Sequence, residues 1–114
     1  MKYYPLFGDV LRTIMAAQFI DARLFQDFYI TLTNHARIRK IEPLIAEFDR
    51  LGKKLGASVR FEGSDKKQKK ILLKLMARNN RMVMLNLEIT AACLEIISAM
   101  QREHMIEENK KRKI

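Results

Sequence analysis

The sequence has few of the residues that interrupt regular structure. Its 114 residues include four glycines, two prolines and no tryptophan. Glycine and proline mark most tight turns, so this chain offers few positions for the turns that a many-stranded fold requires. The scarcity favours long helices over short strands. We therefore predict an all-α fold, built as a small bundle of about four helices with one long C-terminal helix.

A single cysteine, Cys93, excludes an intrachain disulfide. It lies in an apolar run, which predicts a buried thiol and fits a protein of a reducing compartment. We therefore expect a cytoplasmic location. A nucleophilic cysteine would have to be exposed beside a base, and the apolar surroundings of Cys93 disfavour that role.

Motifs for catalysis and cofactor binding are also missing. The histidines, His35 and His104, have no second ligand at metal-binding spacing. The glycines are isolated and form no phosphate-binding loop. Glu42, Glu47 and Asp49 are spaced as on a solvated helix face rather than as an acid/base pair. We predict no enzymatic activity, no cofactor, no metal site and no small-molecule substrate.

Apolar residues recur at spacings of three and four along the first third of the chain, as on one face of a helix. Pro5 suits the first turn of the first helix, whose apolar face extends to Phe19. Asp21 is a candidate cap for a second helix. Residues 28–33 are aromatic and β-branched and would also fit a strand, but the upstream spacing favours a helix that ends near His35.

A third helix is predicted from Pro43 to Leu55, because a proline disfavours helical structure in the residue before it. The segment 37–42 is then a connector. Gly52 is expected to weaken the third helix, and residues 57–63 are expected to form a loop after it.

The longest uninterrupted segment begins at Ser64, a suitable N-cap, and contains no glycine or proline as far as Glu108. One helix of about 45 residues would be about 65 Å long, more than twice the diameter of a domain of this size. It must therefore bend, break or project from the bundle, and Asn79–Asn80 is the expected position of a bend. We assign residues 1–109 to one helical domain and residues 110–114 to a basic tail.

The long helix has more apolar surface than three preceding helices are expected to cover. One apolar seam follows alternating spacings of three and four, and a second face carries Leu73, Met76, Val83, Leu87, Thr90, Leu94 and Ile97. Between them runs a narrow polar row at steps of seven, which consists of Lys74, Arg81, Glu88, Glu95 and Arg102. We predict a homo-oligomer, or pairing with another helical protein, through the seam; a closed four-helix bundle is the alternative. The predicted interface comprises Leu75, Asn79, Met82, Asn86, Ile89, Cys93, Ile96 and Met100.

Positive charge is the strongest local signal. The formal net charge is +9, which suggests a polyanionic partner. Residues 64–114 carry 12 lysines and arginines against 6 acidic residues, and the others carry 10 against 7. The predicted nucleic-acid-binding residues are a helical group, Lys66, Lys67, Lys69, Lys70, Lys74, Arg78 and Arg81, together with Arg37, Arg39 and Lys40 in the connector.

Three functional classes fit these features. The first is a non-enzymatic accessory protein that contacts the phosphate backbone of RNA or DNA with little sequence specificity, because aromatic side chains are not interleaved with the cations. The alternative is a helical interaction module, such as an adaptor, assembly subunit or chaperone. Peripheral membrane binding is a weaker third hypothesis. We reject a membrane span at residues 82–100 because Glu88 and Glu95 lie within it.

Overall fold

The computed structural model describes the backbone of residues 1–55 and 63–112 and the side chains of residues 1–55 and 63–103. Its regular structure is entirely helical, which confirms the predicted all-α fold, and residues 28–33 lie in a helix rather than a strand. A short 3-10 turn at Ala22–Leu24 precedes the second helix. The helices are α1 (Pro5–Ala17), α2 (Phe25–Asn34), α3 (Ala36–Lys40), α4 (Glu42–Leu55) and α5 (Asp65–Arg112).

Residues that favour a helix start stand at the beginning of α1, the 3-10 turn, α3 and α5. Pro5 occupies the first turn of α1, where its missing N–H costs nothing. The Asp21 carboxylate accepts a hydrogen bond from the backbone N–H of Arg23 and caps the 3-10 turn. His35 caps α3 through its Nδ1 atom. Ser64 accepts from a backbone N–H in the first turn of α5 at 3.4 Å.

Two local predictions are corrected. The expected connector at residues 37–42 is mostly helical, because α3 occupies Ala36–Lys40 before α4 begins at Glu42. The apolar face of α1 does not extend to Phe19. The helix ends at Ala17, and Phe19 has a positive φ of 56°. This turn directs the Phe19 side chain outward, so that it is 97% exposed.

The long helix is continuous. Hydrogen-bonded helix passes through Asn79–Asn80 without interruption, so the break considered for that position does not occur. Its 48 residues correspond to about 72 Å at 1.5 Å per residue. This length matches the longest dimension of the molecule, 75 Å, against 26 and 19 Å in the other directions. Of the three possibilities that the length of this helix allowed, a bend, a break or projection from the bundle, the structure shows projection.

The core lies where α1 and α4 pack against the second half of α5, with α2 and α3 closing its sides. Its fully buried side chains come from all five helices, so one core holds the described chain together. These residues are Phe7, Leu11, Leu32, Ile38, Ile45, Leu85, Ile89, Cys93 and Ile97.

Two predictions concern residues outside the described part of the chain. The first is the loop at 57–63, most of which is not described, and the second is the last two residues of the basic tail. The first three residues of that predicted tail, 110–112, belong to α5.

Candidate interaction site on the long helix

The long helix divides into two parts at Leu85. Every residue from Asp65 to Met84 is exposed or half-buried, and the first buried residue of α5 is Leu85. From there to Ile97 the helix contributes six buried residues to the core. We refer to Asp65–Met84 as the arm and to Leu85–Ile97 as the packed segment.

The seam predicted as an oligomer interface faces the chain's own helices. Ile89 and Cys93 are fully buried and Ile96 nearly so, while Leu75, Met82 and Met100 are half-buried. Because the helices before α5 cover this face in the packed segment, it has little surface left for a second chain. The predicted location of an oligomer interface on this seam is thus wrong, while oligomerisation itself stays a prediction.

Asn79 and Asn86, which belong to that predicted interface, are exposed. The Asn86 side chain accepts a hydrogen bond from the hydroxyl of Thr90 one turn later, at 2.8 Å. Its partner is therefore within α5.

A different face of α5 leaves large apolar side chains in solvent. These residues are between 37% and 65% exposed. At 3.6 residues per turn they lie within an arc of about 120° along the helix. We call this surface the exposed apolar stripe; it consists of Leu72, Leu73, Met76, Val83, Met84, Leu87 and Leu94. It overlaps the second apolar face recognised in the sequence and spans both the arm and the packed segment.

The arm carries the predicted cationic residues outside the core. Its five lysines are exposed and Arg78 is half-buried, and among the described residues none of these six forms an ion pair. Arg81 differs, because it donates to both carboxylate oxygens of Glu47 in α4 at 2.8 and 3.0 Å. These hydrogen bonds lower the pKa of Glu47. Within the part of the chain that the structure describes, six of the seven predicted cations in α5 thus have no ion-pair partner.

The connector cations do not join this group. Arg37 forms an ion pair with Glu95 of α5, which places it beside the packed segment. Glu95 lies 25 residues beyond Lys70, a distance of about 38 Å along the helix axis. Arg39 and Lys40 are exposed on the same short helix. The predicted nucleic-acid-binding residues therefore form two separate groups rather than one patch.

Sequence reasoning missed a further group of cations on the body of the protein. Lys2, Arg50 and Lys53 line one shallow surface groove between the N-terminus and α4. Their three-residue spacing in α4 was a usable signal, but the approach of Lys2 depends on tertiary structure. Glu47 and Asp49 line the same groove, so its positive charge is partly balanced.

The sequence suggested that the carboxylates of α4 form a solvated face, but in the structure they contact other parts of the chain. Asp49 is buried; it accepts from the backbone N–H of Leu6 at 3.4 Å and pairs with Lys53 at 3.2 Å. It therefore satisfies an N–H in the first turn of α1 at the positive end of that helix dipole. Glu42 accepts from the Tyr4 hydroxyl at 3.3 Å, and burial, followed by the Glu42 charge, raises the pKa of Tyr4. Glu42 and Asp49 therefore hold the start of α1 against α4, and Glu47 joins α5 to α4 through Arg81.

The remaining candidates for chemistry have no suitable surroundings. Cys93 is buried, and this burial raises the pKa of its thiol to about 12, so its reactive thiolate is scarce at neutral pH. Within the described residues no group of three or more histidine, cysteine, aspartate or glutamate side chains could hold a metal ion.

No protein-family model, curated protein or solved structure matches this chain. The helix Asp65–Glu103 contains an 18-residue window with a mean hydropathy of 1.6, enough to cross a membrane by length and composition alone. One third of that window is buried in the fold, and core helices of globular proteins can pass the same test. The geometry of α5 is thus the main guide to function.

Proposed function

We propose that this protein is a non-enzymatic accessory protein that binds the phosphate backbone of nucleic acid through the arm of α5. The observation that carries the proposal is the set of exposed lysines, Lys66, Lys67, Lys69, Lys70 and Lys74, without an ion-pair partner among the described residues. A helix that projects from the body can approach a duplex without obstruction by its own domain.

The charge balance of the arm supports binding to a polyanion. Asp65 is its one acidic residue, against seven lysines and arginines. Several of these cations lie near the N-terminus of α5, where the helix dipole already contributes positive charge. Placing them there raises the local positive potential at some cost in helix stability, which a phosphate ligand would offset.

The mode of recognition follows from the residue types. Lysine ammonium groups bind phosphates as point charges and do not provide the fixed geometry that reads base edges. The arm contains no aromatic residue on which a base could stack. We therefore expect binding that depends steeply on salt and little on sequence.

The test is fluorescence anisotropy with a generic RNA duplex and a generic DNA duplex across a range of salt concentrations. A variant with Lys66, Lys69 and Lys70 changed to glutamate should bind much more weakly. The logarithm of the affinity falls by about 0.9 per neutralised phosphate for each tenfold rise in salt concentration. Loss of three lysine–phosphate contacts should therefore reduce the steepness of a plot of log affinity against log salt by roughly three.

The matched control changes Lys2, Arg50 and Lys54 to glutamate, which alters the net charge equally but leaves the arm intact. All three side chains are exposed. This control should keep most of the affinity and the salt slope. Equal losses in both variants would indicate a general charge effect, and absence of binding by the wild type at low salt would refute the proposal.

A second candidate function is a helical protein-interaction module, which the exposed apolar stripe favours. Contiguous apolar patches of this kind mark partner-binding surfaces. The two functions use different side chains of α5, so separate variants test them.

A further inference from the structure

We propose that the exposed apolar stripe of α5 is a homodimer interface, covered by the same stripe of a second copy of this chain in antiparallel orientation. The proposal does not depend on nucleic-acid binding. It replaces the buried seam that the sequence favoured with the apolar face that the fold leaves uncovered.

The size of the stripe suits a dimer. From Leu72 to Leu94 it extends about 33 Å along the helix, and its seven large side chains are substantially exposed. Together they present on the order of 700 Å² of side-chain surface per chain, close to the ~800 Å² per partner of a standard interface. The largest apolar patch of a typical monomer is about 300–600 Å².

The shape of the stripe calls for a long, straight partner. Five of its seven residues lie on the arm, where every residue is exposed or half-buried, so a compact partner on the packed segment would leave Leu72, Leu73 and Met76 uncovered. Met76, Val83, Leu87 and Leu94 follow steps of seven, four and seven, which is coiled-coil spacing. A second α5 has the required length and the same spacing.

Charge complementarity selects the antiparallel orientation. Along the stripe the polar row reads Lys74, Arg81, Glu88, Glu95, two cations followed by two anions at equal steps; its last member, Arg102, lies beyond the end of the stripe. In a parallel pair this row would lie against the other flank of the second copy's stripe, at Asn79 and Asn86, which offers no opposite charge. In an antiparallel pair the order is reversed, so that Lys74 lies opposite the second copy's Glu95, and Arg81 opposite its Glu88.

The charged row and the apolar stripe agree on one register. In an antiparallel pair, the residue numbers of opposite residues have a constant sum, which defines the register. This sum is 169 for the two ion pairs. It is 170 when Met76 lies opposite Leu94 and Val83 opposite Leu87. A single antiparallel alignment centred near Met84–Leu85 therefore accommodates both sets. Arg81 and Glu95 have partners within the chain, Glu47 and Arg37, but remain 50% and 68% exposed. They can still contact a second copy.

The first test is the mass of the protein in solution by sedimentation equilibrium at micromolar concentration. We expect twice the 13.4 kDa of one chain. Leu87→Glu should raise the dimer dissociation constant at least about a hundredfold, because a carboxylate would be buried against Val83 of the second copy. Ile30→Glu is the matched control, since Ile30 is 50% exposed on α2, and this variant should remain dimeric.

Circular dichroism and urea unfolding of both variants guard against a folding defect. Leu87 is 63% exposed in the single chain, so Leu87→Glu should yield a folded monomer. A monomeric wild type would overturn the proposal, and its flotation with anionic vesicles would then assign the stripe to a membrane surface. A Leu87→Glu protein that stays dimeric would also overturn it.

Disulfide crosslinking tests the orientation. Met76→Cys and Leu94→Cys are made separately in a Cys93→Ala background and mixed under oxidising conditions. The antiparallel register predicts a disulfide between the two different chains and little self-crosslinking, because two copies of residue 76 would be about 27 Å apart. Self-crosslinked Met76→Cys dimers would indicate a parallel pair and overturn the assigned register.

Discussion

The packed segment and the arm belong to one helix, yet tertiary structure treats them differently. In the packed segment, Ile89, Cys93 and Ile97 are fully buried. In the arm, Leu73 and Met76, which are equally apolar, are mostly exposed. The difference lies in the reach of the neighbouring helices. The 14 residues of α4 span about 21 Å, whereas α5 spans about 72 Å, so burial ends where the shorter helices end.

The comparison also separates two kinds of stability. The packed segment shares one core with α1 to α4 and should unfold with them. The arm has no buried residue of its own, and most helical stability in proteins comes from tertiary packing rather than from helix propensity. A partner that covers the arm would therefore stabilise it by mass action. We expect ligand or dimer formation to protect the amide hydrogens of the arm from exchange more than those of the packed segment.

The largest expected effect compares two leucines on opposite faces of the helix. Leu85 is fully buried and Leu87 is 63% exposed. We expect Leu85→Ala to lower the free energy of unfolding by about 2–5 kcal/mol, because it leaves a cavity in the core. Leu87→Ala should change it by about 0.5 kcal/mol or less in the monomer. Urea unfolding at low protein concentration measures both, and equal losses would contradict the division of α5 into faces.

Gly52 should show the next largest effect. A β-carbon at this position would lie 2.2 Å from Leu6 Cδ1 and 3.6 Å from Met82 Cε. Helix propensity alone predicts that Gly52→Ala stabilises α4 by about 1 kcal/mol. We expect the reverse, a loss of roughly 1 kcal/mol or more from overpacking where α1 meets α4. Lys54→Ala, at an exposed position of the same helix, is the control. If thermal unfolding shows Gly52→Ala to be more stable than the wild type, the close packing at Gly52 is refuted.

The thiol of Cys93 provides a pH-dependent probe of the packed segment. Burial raises its pKa from 9.0 to about 12. Above pH 9 the thiol ionises in the unfolded chain but not in the folded one, so its contribution to stability should fall between pH 9 and 12. We expect a loss of up to about 1 kcal/mol per pH unit in that range, measured as the difference between wild type and Cys93→Ala. A difference that is constant with pH would contradict burial of the thiol.

Alkylation gives the matching comparison between the two regions. Cys93 should react slowly with iodoacetamide in the folded protein and quickly in urea. Met76→Cys in a Cys93→Ala background places the thiol on the arm instead, where it should react in the folded monomer at nearly the unfolded rate. Strong protection at position 76 in a monomer would show that the arm is covered by its own chain.

The smallest effect concerns the ion pair that joins the arm to α4. Hydrogen bonds from Arg81 lower the pKa of Glu47, so the pair stabilises the fold above the ordinary pKa of a glutamate, and this contribution is lost as the pH falls through the lowered value. Because both groups are solvent-accessible, Glu47→Gln should destabilise less than the substitutions above. The difference from wild type should be present at pH 7 and vanish in acid; a difference that grows in acid would contradict the pair.

Much of the fold could be predicted because it depends on local chemistry. The scarcity of glycine and proline and the three- and four-residue spacings indicate helices, and Pro5, Asp21 and Ser64 mark where structure begins. Phe19 was misplaced because a single left-handed residue after Ala17 changes the chain direction, which a periodic pattern does not record. Asp49 was misread because its partner, Leu6 N–H, lies 43 residues away in the sequence.

The candidate site could be predicted only in part, because local spacing does not record contacts between distant segments of the chain. The sequence alone determined that α5 is long, that its first turns are cationic and that it has two apolar faces. It did not determine which apolar face is covered, because spacing gives the angle between faces but not the position of other helices. Tertiary structure decided that question: α1 and α4 pack against Ile89 and Cys93, whereas α4 contacts the arm at Arg81 without burying any of its residues. The exposed apolar stripe and the lysines of the arm are what remain for a partner.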